Sequence, residues 1–143
     1  MRQILLSAAL LGSACGGRVS SAPAEPVGSS TQVMTDFLRA ARDSSLTRMA
    51  ELWGTARGPA SQTRPAGYEK RVAVMQVYLR GDSTRVVSDE PVPGDESHRR
   101  IQLALYRGTC VKQLPATMVR AKKRWLVSSV DLSQAGNPAR PCE

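Results

Sequence analysis

Residues 101–132 read IQLALYRGTCVKQLPATMVRAKKRWLVSSVDL, and this stretch decides the fold. Ile101, Leu103 and Leu105 alternate with Gln102, Ala104 and Tyr106. That period of two sets one face of a strand on a core and the other toward water. Gly108 marks a turn. Cys110 to Ala121 reads as the next strand. Pro115 within it calls for an edge position or a bulge, because proline donates no ladder hydrogen bond. Lys122-Lys123 makes a hairpin tip, and Arg124 to Leu132 returns as the last strand. Trp125, Leu126, Val127, Val130 and Leu132 put apolar groups on both of its faces, so it is expected to be well buried. Upstream, Thr84 to Ser88 is a short β-prone run, and Pro91-Val92-Pro93-Gly94-Asp95 is a turn.

Before residue 81 the period changes. Val33, Met34, Phe37, Leu38 and Ala41 share one face of a helix that starts near Thr31, with Ser29 and Gln32 spaced as a capping box. Asp43-Ser44-Ser45 offers the next N-cap. Leu46, Met49, Ala50 and Trp53 follow at helical spacing until Gly54 stops this short second helix. Thr55 to Ala66 reads as a loop. A third helix runs from about Gly67 to Arg80, with Tyr68, Val72, Met75 and Leu79 as its buried stripe. Val74 and Tyr78 lie off that stripe, which predicts cover on a second side. Helices first and a strand meander after them predict an α+β domain: three N-terminal helices packed on a curved antiparallel sheet of about four strands.

That order resembles the nuclear transport factor 2-like domains, part of the cystatin-like α+β cone. Phe37-Leu38-Arg39-Ala40-Ala41, followed by Asp43 and then Leu52-Trp53, resembles the family's first two helices. Lys123-Arg124-Trp125-Leu126-Val127-Ser128-Ser129-Val130 resembles its closing strand. The likeness covers roughly residues 31–133. The family carries a strand between its second and third helices, where Thr55–Ala66 here has little strand character. The resemblance implies a cone whose enzymatic members, steroid isomerases and dehydratases, hold acid and base groups inside. It also implies a tendency to dimerise through the sheet.

The N-terminus carries a second resemblance. Arg2 precedes an apolar run from Ile4 to Ala14, too short for the ~20 residues that cross a bilayer and sized like a secretory signal. Leu11-Gly12-Ser13-Ala14-Cys15 resembles the lipobox of bacterial lipoproteins, with the leucine one place earlier than usual. The resemblance implies cleavage before Cys15, acylation of its sulfur, and residence in the cell envelope. Gly16 rather than Asp after the cysteine resembles the enterobacterial outer-membrane sorting signal, so the expected site is the outer membrane facing the periplasm. Ordinary secretion and an uncleaved form are the alternatives. Residues 16–30, GGRVSSAPAEPVGSS, read as a flexible tether with a reach of ~20 Å.

The chain has 143 residues, 20 Lys and Arg, 12 Asp and Glu, and a formal charge of +8. Loss of Arg2 with the leader leaves a basic mature domain of about 129 residues, enough for one core. Basicity suits anionic lipids, acidic polymers or an envelope protein as partners. Nucleic acid is the least expected of these, since the domain has few aromatics for stacking. Three cysteines are an odd count for an exported protein. Acylation of Cys15 leaves Cys110 and Cys142 as a pair, expected to form a disulfide that closes a loop of about 33 residues, worth roughly 3.5 kcal/mol, and to staple the tail from residue 134 onto the sheet. Free thiols or a metal site are the alternatives.

No carboxylate pair, nucleophile motif or phosphate loop stands out, so no catalytic residue, metal ligand or cofactor is assigned. His98 reads as a surface histidine, with general acid–base work as its alternative. Asp82, Asp89 and Asp95 read as turn residues, and Asp131 as a group that could face inward. Trp53, Tyr68, Met75, Tyr106, Met118 and Trp125 are the candidate pocket lining, with plain core as the alternative. Arg99, Arg100, Lys122, Lys123 and Arg124 are the candidate contacts to an anionic surface, with a solvated hairpin tip as the alternative. The expected function is a non-catalytic, membrane-anchored binding module; the alternatives are a carrier of small apolar ligands in the cone and an isomerase- or dehydratase-like enzyme.

Overall fold

A computed structural model of the chain describes residues 28–143. The leader, Cys15 and the tether as far as residue 27 lie outside the described residues. Helix α1 spans Ser30–Arg42. The Ser29 hydroxyl caps it by accepting the Gln32 N–H at 3.1 Å. Its apolar stripe is fully used, with Met34, Phe37 and Ala41 all 0% exposed. Helix α2, Leu46–Leu52, buries Met49 and Ala50 but leaves Leu46 exposed. Helix α4, Tyr68–Leu79, buries Val72, Met75 and Leu79.

The segment read as a plain loop holds more structure than its sequence announces. Strands β1, Gly54–Thr55, and β2, Gly58–Pro59, form a small antiparallel pair, and α3, Ala60–Thr63, adds a single helical turn. The helices thus number four among the described residues. Gly54 makes the tight pair possible: a Cβ there would lie 2.3 Å from the Gly58 carbonyl oxygen. Composition hid these two-residue strands, because each is held by its neighbours and not by β-branched side chains.

Four strands follow as an antiparallel meander in the order β3-β4-β5-β6. They are β3 Ser83–Val92, β4 Asp95–Arg107, β5 Cys110–Ala121 and β6 Arg124–Val130. The alternation read in residues 101–106 holds on the core side, with Ile101, Leu103 and Leu105 each at most 2% exposed. β3 is twice the length of the predicted run and carries Asp89 and Pro91 within it. Three register irregularities bend the sheet: one leaves Val87 unpaired, one falls between Pro91 and Val92, and one leaves Ser128 unpaired. The four helices lie toward one face, and α1 contacts both edge strands, β3 and β6. Val119, Ala121 and Leu126 form a smaller apolar cluster on the other face.

Pro115 sits in an inner strand and not at an edge. It pairs with Gln102 on one side, and on the other its carbonyl accepts the Asp131 N–H at 2.9 Å, just past the end of β6. In a strand the N–H and C=O of one residue point the same way. The donor that proline lacks therefore faces Asp131, just past the end of β6, so the one bond forgone lies where the ladder ends. β6 is itself an edge strand. A parallel bridge from Trp53 to Val127 covers part of that edge, which is how its two-sided apolar pattern is accommodated. Leu132 lies beyond it, in a 3₁₀ helix at Leu132–Ala135 whose Ala135 is 0% exposed.

Two polar pins join the layers. Asp89 lies in β3, not in a turn. Its carboxylate accepts hydrogen bonds from the hydroxyls of Ser30 and Thr31 at the start of α1, and from Arg99 Nε. A negative charge there also favours the α1 dipole. Burial pushes the Asp89 carboxyl upward, but the bonds from Ser30, Arg99 and Thr31 outweigh it and hold the pKa below the ordinary 3.8. A depressed carboxyl contributes stability that is complete above its unfolded value and is lost as pH falls through the folded one. Urea unfolding of the native chain and of Asp89→Asn across pH is expected to show this. The native chain's advantage should be constant near neutral pH and should shrink once the pH drops below about 4. An advantage that grows on acidification would contradict the assignment. The second pin, Arg107, is 5% exposed on β4. It donates to the carbonyls of Tyr78, Arg80 (3.1 Å) and Ala135 (2.6 Å).

Candidate functional site

A cleft opens between α4 and the end of β6, with a volume of about 510 Å³. Trp53, Val74, Met75, Val130 and Leu132 supply its apolar walls, Ser128 and Ser129 its hydroxyls, and Lys70 and Arg71 its charged rim. Each wall is placed by a local feature. Trp53 leaves α2 in extended conformation, and its indole N–H donates to the Ser128 carbonyl at 3.1 Å. That carbonyl is available because Ser128 is the extra residue of the β6 bulge. Gly67 precedes α4 with φ of +72°, a conformation that suits glycine. It starts α4 so that Lys70, Val74 and Tyr78 stand in one row. Leu132 is held by Asp131, whose carboxylate accepts the Ser133 N–H at 3.1 Å and its hydroxyl at 2.5 Å.

Val74 remains 41% exposed and Val77 51% exposed, so α4 keeps an uncovered apolar side. The off-stripe position of Val74 in the sequence was the signal for this site. Its predicted second cover is an open cleft. A further recess of about 570 Å³ shares Val74 and Leu132 with the first and continues past Tyr78 to Asn137.

The six residues expected to line one pocket are dispersed. Trp53 and Met75 meet in the cleft. Tyr68 borders a separate, smaller recess beside Leu46 and Val72. Met118 is 0% exposed in the core. Tyr106 lies on the outer sheet face with the Arg85 guanidinium 5.0 Å from its ring centre, and Arg120 sits 5.4 Å from the ring of the half-buried Trp125. The interior where a cone cavity was considered is instead packed by Met34, Phe37, Met49 and Met118.

The five candidate contacts to an anionic surface are also dispersed. Arg99 is engaged with Asp89, and Arg124 donates to the Glu51 carbonyl at 3.0 Å. Arg100 is exposed opposite Glu90. Lys122 and Lys123 stand exposed at the β5–β6 turn, Lys122 with φ of +56°. They do not form one patch.

His98 is half-exposed on β4, with Nδ1 2.7 Å from an Asp95 oxygen. Asp95 also accepts bonds from the Ser97 hydroxyl and N–H, and these with His98 hold its carboxyl below the ordinary value. Asp82 accepts the Gly108 N–H at 2.5 Å, closing the corner between α4 and the sheet. Asp131 does not face inward: it is exposed and caps the 3₁₀ helix. Among the described residues, no group of three His, Cys, Asp or Glu side chains could hold a metal, and no helix is long and apolar enough to cross a membrane. Cys110 and Cys142 stand at disulfide distance, with Cα atoms 5.5 Å apart.

No family model matches the chain, and no curated protein or solved structure matches it either. The cleft must therefore be read from its own chemistry. Its lining offers apolar area, two hydroxyls and two cations, and includes no carboxylate or imidazole. Such a surface binds by burial and charge.

Proposed function

We propose that this chain is a non-catalytic binding module, held at the cell envelope through acylated Cys15 and presenting a nuclear transport factor 2-like domain. Cysteine pairing carries the reading. Cys110 and Cys142 account for each other, so Cys15 is the odd cysteine, and it stands directly behind an apolar leader. A bonded pair also suits an oxidising compartment. The domain assignment draws support from the helices on one face of a bent four-stranded meander, and from the β1–β2 pair, which falls where that family carries its extra strand. The outer membrane, facing the periplasm, is the proposed location.

The ligand-carrier alternative takes a new form. The packed interior leaves little room inside the cone, whereas the cleft beside α4 is open and apolar, so the proposed binding surface is that cleft.

Cell fractionation tests the reading. The native chain is expected in the membrane fraction, released by detergent but not by high salt. Cys15→Ser should move it to the soluble envelope fraction, because a lipid anchor is lost and no ionic contact replaces it. A native chain that salt alone releases would contradict anchorage.

A further inference from the structure

Lys70, Val74 and Tyr78 are spaced four apart, so they form one row about 12 Å long on α4. The two recesses beside this row adjoin at Val74 and Leu132 and together form a trough along α4. Polarity along it is uneven. The apolar walls Trp53, Val74 and Leu132 continue from the end where Lys70 and Arg71 stand on the first turns of α4. Neither cation has a carboxylate within 4.0 Å among the described residues. A peptide strand would find little to pair with, because the β6 edge here is already bridged by Trp53 and the Ser128 carbonyl is taken by its indole. The stretch beside Trp53, Val74 and Leu132 is apolar, whereas Ser133 and Asn137 line the far end. An apolar stretch next to unpaired positive charge complements a molecule that has an apolar chain and one anionic end.

We propose that this trough binds a single-chain fatty carboxylate, its chain along Trp53, Val74 and Leu132 and its head between Lys70 and Arg71. The proposal rests on the reading of the chain as a binding module and names its ligand class. Burial of the chain supplies affinity, and the cations set the direction in which it lies.

Trp53 reports on the site directly, because bromine quenches indole fluorescence only at contact and Trp125 lies elsewhere. The probe is dibromostearate below its micelle concentration, titrated into the full chain carrying Cys15→Ser, so that no acyl anchor competes. Saturable quenching at one equivalent is expected. It should persist in Trp125→Phe and disappear in Trp53→Phe. The methyl ester of the probe, and the pair of substitutions Lys70→Gln and Arg71→Gln, should each weaken binding about tenfold at low ionic strength. Absence of saturable quenching would overturn the proposal. So would quenching that Trp125→Phe abolishes, or equal affinity for acid and ester. The membrane fractionation is read independently: a chain that stays anchored but fails to bind the acid loses only its ligand, and one that binds but is not anchored loses only its compartment.

Discussion

Arg107→Met is expected to lower the unfolding free energy by about 3 kcal/mol, a large share of the ~5–15 kcal/mol typical of a domain. The guanidinium joins three elements at once. Two of its acceptors, Tyr78 and Arg80, lie at the end of α4, and the third, Ala135, closes the 3₁₀ helix. No carboxylate lies within salt-bridge distance of it among the described residues, so the negative end of the α4 dipole and the carbonyls themselves balance the charge. Burial lowers its pKa below the ordinary arginine value, but the group stays protonated at any working pH. Methionine matches much of the stem and donates nothing. The Tyr78 and Arg80 carbonyls lie nearer the surface and regain water in part, whereas the bond to Ala135 is buried. Arg107→Lys should recover less than half of the loss, because one ammonium cannot span three separated carbonyls. Urea unfolding with an unchanged m-value reads the effect. A loss under about 1 kcal/mol would show that the three bonds are not what joins these elements.

Removing the Cys110–Cys142 bond, by reduction or by Cys142→Ser, should cost roughly 3.5 kcal/mol. The bond closes a loop with a sequence separation of 32 residues, which includes β5, β6 and the 3₁₀ helix. Its loss enlarges the unfolded ensemble and frees the C-terminal residues, which have few other ties. Asn137 pairs with Arg140, and its side chain accepts the Ala139 N–H at 2.9 Å, but both bonds lie within the tail itself. Arg107 and Cys110 are direct partners at the end of the β4–β5 hairpin. Both pins therefore hold the same corner, one through Ala135 and the other through Cys142. The double variant Arg107→Met with Cys142→Ser should lose less than the sum of the single losses. Thermal unfolding with and without reductant checks the first claim and a double-mutant cycle the second. Strict additivity would mean that the two pins act on separate regions.

Much of the fold was legible because the apolar periods were strong. α1 declared itself through Val33, Met34, Phe37, Leu38 and Ala41, and β5 began and ended where Cys110 and Ala121 implied. Pro115 misled because a sequence does not say where the neighbouring strand stops. The β1–β2 pair was invisible because glycine and proline read as loop, whatever backbone pairing the fold imposes. Asp89 was read as a turn residue because Pro91 lies two places on, yet β3 runs through both. Arg99 looked free beside Arg100, since strand alternation sends neighbours to opposite faces and only Arg99 meets Asp89. The cleft was half legible. Val74 announced an extra apolar side on α4, but nothing local told that Trp53 and Leu132 would join it, because those contacts depend on how β6 ends.

The central claim, an acylated and disulfide-bonded chain at the envelope, is tested most directly by intact mass. The chain would be purified from the membrane fraction of its native cells and weighed before and after reduction. The account predicts a polypeptide that begins at Cys15, carries fatty acyl mass, and is lighter by two hydrogen atoms before reduction than after. A chain that retains Met1, or one that begins near Cys15 without acyl mass, would contradict it.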